Sequence, residues 1–156
     1  MFYFYIILAI VIVNYPPILE FTNFDEHFTN IITIISKYFI EIIGIDVVRD
    51  GEFLHLPSSN LQIEYACSGL DIIILLSAVI LSIEIKFYKR IILIFMLNII
   101  FGLLNSIRIA YLGWILENYP KWFDFMHDYI LNILLLSIIF LFLSLILKNK
   151  EVNIKQ

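Results

Sequence analysis

Three side chains in this sequence are suited to acyl transfer, and each stands where an apolar run begins or ends. They are Cys67 in Ala66-Cys67-Ser68-Gly69-Leu70, Arg108 in Asn105-Ser106-Ile107-Arg108, and His127 between Met126 and Asp128. A thiolate attacks carbonyl carbon, a guanidinium binds the oxyanion that results or holds the substrate, and an imidazole moves protons near neutral pH. Cys67 falls between a strand-like segment and a long apolar helix. A helix N-terminus favours the thiolate through its dipole and its unpaired N–H groups. The amides of Ser68 and Gly69 would then face a developing oxyanion, and Gly69 would leave space for a substrate backbone. Ser68 and Asp71 read more simply as a Ser-x-x-Asp helix cap.

Each of these residues also has a plainer reading. A lone cysteine in an apolar bundle is usually a packing residue, an arginine at a membrane boundary usually snorkels, and interfacial histidines are frequent. Against this, Asn98, Gly102, Asn105 and Arg108 recur at i+3 and i+4 steps and share one helix face. Polar groups are costly in lipid unless they face a partner or a cavity, so that stripe is expected to face the bundle. Asp124 and Asp128 flank His127, and either is placed to orient its ring. His27 and His55 are rival bases, but neither opens a long apolar helix. No two histidines have helical ligand spacing, and one cysteine excludes both an intramolecular disulfide and a cysteine-based zinc site. No metal or cofactor is therefore expected.

The elements that must position these residues belong to a membrane protein. Of 156 residues, 62% are hydrophobic, and the mean hydropathy is +0.95. A soluble domain of this length lacks the interior to hide so much apolar surface. The length fits one transmembrane domain over 1–156 rather than two. The few basic residues are scattered or sit at membrane boundaries, which argues against nucleic-acid binding.

Four spans are expected, at about 1–19, 68–85, 91–110 and 129–147. The first ends at Pro16-Pro17, lacks a basic n-region and a small-x-small cleavage site, and reads as an uncleaved anchor. The third ends at Arg108 or continues with a tilt through Trp114. Residues 20–66 lie between the first two spans. Within them, 20–30 read as a polar loop. Residues 31–45 read as an amphipathic helix lying flat on the membrane, with Ile31, Ile34, Ile35, Tyr38, Phe39 and Ile42 on one face and Thr33, Lys37 and Glu41 on the other. Asp50-Gly51 between Val47-Val48 and Phe53-Leu54 is a hairpin signal, and the alternation Leu61, Gln62, Ile63, Glu64, Tyr65 is a further strand leading to Cys67. The fold class is thus an all-α membrane bundle with an external amphipathic helix and a small β-hairpin, or three-stranded sheet, ahead of the cysteine. No internal repeat is visible.

Basic residues set the orientation. Lys86, Lys89 and Arg90 follow the second span, and Lys148, Lys150 and Lys155 follow the last, so both segments should be cytoplasmic. Residues 20–66 hold eight acidic residues against only Lys37 and Arg49, and should be external. Cys67, Arg108 and His127 then meet at the external face.

With these residues in place, the chain resembles the exosortase and archaeosortase family of membrane-embedded cysteine transpeptidases. The resemblance rests on Ala-Cys-Ser-Gly opening one helix, Asn-Ser-Ile-Arg ending the next, and Met-His-Asp opening another, over roughly residues 46–147. It implies a catalytic set of Cys67, Arg108 and His127, with Asn105, Ser68 and Gly69 in support. It also implies exported protein substrates that carry a C-terminal sorting signal, cleaved through a thioester on Cys67. A membrane lipid is the implied acceptor, and hydrolysis is the alternative outcome. The enzyme would be a multi-pass protein of the cell membrane. The competing reading is a non-catalytic membrane scaffold or subunit, which would have no reason to bring the three residues around one cavity.

Overall fold

The computed structural model describes residues 24–83 and 85–154. The span expected at 1–19 lies outside them. The described chain runs α1 (Phe24–Ile42), β1 (Val48–Asp50), β2 (Phe53–His55), β3 (Asn60–Gln62), α2 (Tyr65–Ser68), α3 (Leu70–Ser82) and α4 (Phe87–Asn118). A 3-10 turn (Pro120–Trp122), a single α turn (Phe123–Phe125) and a π-helical turn (Met126–Ile130) then lead into α5 (Leu131–Ile154).

The chain is mostly helical with one small sheet. Two stretches, Phe87–Asn118 and Pro120–Phe142, are long and apolar enough to cross a membrane. The 32 residues of α4 extend about 48 Å at the α-helical rise, well beyond a hydrocarbon core of about 30 Å. Arg108 therefore lies inside α4 rather than at its end, and the helix outlasts even the longer expectation through Trp114. By contrast, α3 has 13 residues, shorter than the expected 68–85, because Gly69 breaks the helix before Leu70 and the chain turns extended at Ile83. Its far end is closed by a basic residue, Arg90, whose Nη2 donates to Ile83 O at 2.8 Å. That cation satisfies a carbonyl left free at the helix C-terminus.

The segment ahead of Cys67 forms a three-stranded antiparallel sheet in the order β1-β2-β3. Asp50 pairs with Phe53, so the first two-residue loop is Gly51-Glu52, one residue later than Asp-Gly spacing suggests. Gly51 has φ +58°, which a hairpin loop of this length requires. The expected alternation holds: Leu61 and Ile63 are buried, and Gln62 and Glu64 are exposed. The inner face of the sheet, including Leu54, Leu56, Leu61 and Ile63, packs on Ile32 and Ile40 of α1 and on Ile109 and Ala110 of α4. A second core, Leu76, Ile80, Leu97, Phe101 and Leu135, ties α3, α4 and α5 together.

One expectation for α1 needs correction: it begins at Phe24, inside the stretch read as a loop. Thr29, Ile32, Thr33, Ser36 and Ile40 are buried, while Ile31, Ile34, Tyr38 and Ile42 are exposed. Small hydroxyl residues let two helix backbones approach closely, and a hydroxyl can satisfy itself within its own helix. Thr33 Oγ1 does so, donating to Thr29 O at 2.8 Å. Of the apolar face read from the sequence, Ile31, Ile34, Tyr38 and Ile42 point away from the described fold, and small hydroxyl residues point into it.

Candidate active site

Cys67 does not open the long helix. It sits in the single turn of α2, and the chain then reverses its backbone hand at Gly69 (φ +80°) before entering α3. This elbow is built from side chains that replace the missing helical hydrogen bonds. Ser68 Oγ donates to Tyr65 O at 2.7 Å and accepts from Leu70 N at 3.3 Å. Tyr65 OH donates to Asp71 Oδ1 at 2.5 Å, so Asp71 holds the elbow through a phenol and the expected Ser-x-x-Asp cap does not form. Burial, and after it the Asp71 carboxylate, push the Tyr65 phenol well above its ordinary pKa, which keeps it a donor.

Asn105 of α4 clamps the elbow from below. Its Nδ2 donates to Cys67 O at 2.9 Å and to Ser68 O at 2.8 Å, satisfying two carbonyls that the end of a one-turn helix leaves free. The same clamp explains Gly69. A Cβ there would stand 3.1 Å from both Asn105 Cγ and Nδ2, so the space read as room for a substrate is taken by Asn105. Gly69→Ala combines a left-handed conformation costing about 1–2 kcal/mol with a clash typically worth about 1–3 kcal/mol. It should therefore lower the thermal midpoint in detergent markedly. Unchanged melting would mean that the elbow tolerates a side chain.

The thiol is partly buried and faces the π turn. Cys67 Sγ lies 3.3 Å from His127 Nε2, and His127 Nδ1 lies 2.8 Å from Asp128 Oδ1. A carboxylate only accepts, so Nδ1 carries the proton and Nε2 is left as an acceptor towards the thiol. Of the two flanking acids, Asp128 rather than Asp124 orients the ring. Phe123 stacks on it, with centroids 5.7 Å apart and planes 12° from parallel. Insertion of a π turn re-aims side chains within a continuous helix, and here it contains His127.

Arg108 joins the two halves. Its Nη1 donates to Asn105 Oδ1 at 3.3 Å and its Nη2 to Asn132 Oδ1 at 2.8 Å. Asn132 Nδ2 in turn donates to Asp128 O at 3.1 Å. The hydrogen bonds thus run from the elbow through Asn105, Arg108 and Asn132 to the π turn, and return to Cys67 through His127. Arg108 Nε is buried without a partner. Asn132 was not identified from the sequence. The available signal was a lone amide in the apolar start of α5, one turn after Asp128.

Cys67, Arg108 and His127 line one cavity of about 220 Å³, together with Gln62, Glu64, Ile109, Leu112 and Phe123. His27 and His55 do not line it. His55 lies on the exposed face of the sheet with its Nδ1 2.7 Å from Asn60 Oδ1. Among the described residues no cluster of three histidine, cysteine, aspartate or glutamate side chains could hold a metal ion.

The expected helix-dipole activation of the thiol is not what the site provides. Burial pushes the Cys67 thiol above its ordinary pKa, Glu64 and Asp128 add to that, and Arg108 opposes it. The resting form is therefore the neutral thiol, 3.3 Å from His127 Nε2. Alkylation of Cys67 by iodoacetamide, followed by intact mass, should therefore rise with pH through a midpoint above the ordinary thiol range. Arg108→Ala should move that midpoint higher still, since it removes the cation that stabilises the thiolate. A midpoint below the ordinary range would show that burial is not the dominant influence.

A family model described as transmembrane exosortase matches residues 1–145 of the chain. No curated protein matches it, and no solved structure does.

Proposed function

The chain belongs to the transmembrane exosortase family, and from that premise we propose that it is a membrane cysteine transpeptidase whose catalytic residues are Cys67, Arg108 and His127. The observation that carries the assignment is the 3.3 Å contact between Cys67 Sγ and His127 Nε2 inside a cavity that Arg108 also lines. A scaffold gains nothing from leaving a thiol, an imidazole and a guanidinium around an opening.

The chemistry follows from the geometry. His127 takes the thiol proton as Sγ attacks the scissile carbonyl, and Asp128 steadies the imidazolium that forms. Arg108 stabilises the negative charge on the tetrahedral oxygen. Collapse of that intermediate breaks the C–N bond. His127 gives its proton to the departing amine and the acyl group remains on Cys67 as a thioester. A nucleophile, in this reading a membrane lipid headgroup, then attacks the thioester with His127 again as base, releasing the thiol. Water at the same step would give hydrolysis. Asn105, Ser68 and Gly69 hold the elbow that presents the thiol.

The substrates in this reading are exported proteins with a C-terminal sorting signal, and the enzyme is a four-span protein of the cell membrane. Its cavity opens on the external face, and Lys86–Arg90 lie in the cytoplasm. The test is a trap. Membranes quenched in acid during turnover should yield Cys67 carrying a peptide by mass spectrometry, and neutral hydroxylamine should remove it. A membrane-impermeant maleimide applied to intact cells should label Cys67. In a Cys67→Ser background it should leave a cysteine placed at Lys89 untouched. Absence of any acylated Cys67, or labelling at position 89 from outside, would overturn the mechanism or the orientation respectively.

A further inference from the structure

The main-chain pattern of the sheet carries a consequence for how substrate enters the cavity. Leu56 N–H donates to Ser59 O at 2.8 Å and Ile63 N–H donates to Glu52 O at 3.0 Å. With the register Leu54↔Leu61 and Phe53↔Gln62, these bonds fix the phase of the β2-β3 ladder. In an antiparallel pair, residues alternate between hydrogen-bonding across the pair and pointing their N–H and C=O away from it. Ser59, Leu61 and Ile63 are the inward set. Asn60 and Gln62 are the outward set, and β3 is an edge on which no other described strand pairs.

That outward row leads to the nucleophile. The next outward carbonyl after Gln62 is that of Glu64, which is still in extended conformation, and it accepts from the N–H of Cys67 at 2.9 Å. Residues 61–64 line the same cavity as Cys67, Arg108 and His127. Natural proteins guard exposed edges with lysine, proline or bulges. Asn60-Leu61-Gln62 contains neither residue, and its pairing with β2 is continuous.

Resting on the transpeptidase reading above, we infer that the segment to be cleaved docks as an added strand on the outer edge of β3. The N–H and C=O of Gln62 would pair with its main chain, so that its scissile carbonyl is delivered to Cys67. Main-chain pairing supplies affinity that is indifferent to side chains and fixes an extended peptide in register. The partner is thus an extended polypeptide stretch free of proline and N-substitution at the paired residue.

A probe that needs no natural substrate tests this. Acetyl-Ala-Ala-Ala chloromethyl ketone and chloroacetone share one electrophile. In each, Cys67 Sγ displaces chloride from the methylene carbon to form a thioether, and the thiol proton passes to His127 and then to buffer. The tripeptide should alkylate Cys67 with a kinact/KI about tenfold or more above chloroacetone, the margin expected from one or two main-chain hydrogen bonds. Gln62→Pro removes an N–H that the ladder does not use, a substitution edge strands accept. It should abolish the margin, read as the ratio of the two rates within the same variant, and Gln62→Ala should retain that ratio. In the wild-type protein, N-methylation of the three alanines one at a time should remove the margin at the paired position, which tests the inference even if the proline variant does not fold. An equal rate for both reagents, or indifference to every N-methyl group, would overturn strand addition and leave the nucleophile in place. Failure of both reagents to modify Cys67 would overturn the nucleophile and this inference with it.

Discussion

Replacing Cys67 with alanine should abolish processing while leaving the protein inserted in the membrane. Removal of the nucleophile from a triad costs on the order of 10⁶-fold in rate. Little of the fold depends on the thiol, because the elbow around it is held by Asn105, Ser68 and Tyr65. Serine should fare no better. Its hydroxyl is far less acidic than a thiol, and a position 3.3 Å from His127 does not supply the missing acidity. The measurement is conversion of the substrate recovered by the trap, normalised to membrane-inserted protein. Near-normal turnover by Cys67→Ala would end the enzyme reading and leave the membrane scaffold in its place.

Different parts of this arrangement were visible in the sequence for different reasons. The strand alternation and the turn glycine are local signals. They identify the sheet before Cys67, although the loop falls one residue later than its dipeptide suggests. Hydropathy finds α4 but not its length, since its last turns beyond Arg108 mix Tyr111, Trp114 and Glu117 with apolar residues. The two faces of α1 were legible from spacing, but its packing on α4 was not, because the buried face carries Thr29, Thr33 and Ser36 rather than a continuous row of large apolar residues. The elbow was half visible. Gly69 marked a special position, but its reason lies 36 residues later in the sequence, in the side chain of Asn105.

The missed member of the site illustrates the same limit. Asn132 gains meaning only when Arg108 reaches across from α4 to donate to it. Its bond back to Asp128 O then ties Arg108 to the turn that presents His127. Residue type and spacing picked out Cys67, Arg108 and His127, which line one cavity. The hydrogen-bonded frame that holds them depends on how two helices and an elbow are packed, which no local pattern encodes.

That frame makes the histidine prediction specific. His127→Ala should slow turnover by about 10²–10⁴-fold, the usual worth of a positioned general base and acid, while His27→Ala and His55→Ala should stay close to wild type. The residual rate of His127→Ala should climb with pH. Without the imidazole, only bulk base generates the thiolate, and burial holds that thiol above its ordinary range. The variant should thus approach wild type most nearly under alkaline conditions and fall furthest behind near neutrality. Asp128→Asn should reproduce part of the loss. An amide can donate to Nδ1, which would turn the protonated nitrogen towards Cys67 and leave the thiol without an acceptor. If the groups act as one unit, Cys67→Ala combined with His127→Ala should be no worse than Cys67→Ala alone. Normal turnover by His127→Ala together with a loss in His55→Ala would keep the enzyme and move its base to the sheet. A flat pH profile for the His127→Ala residual rate would mean that the imidazole does not serve as the thiol's proton acceptor.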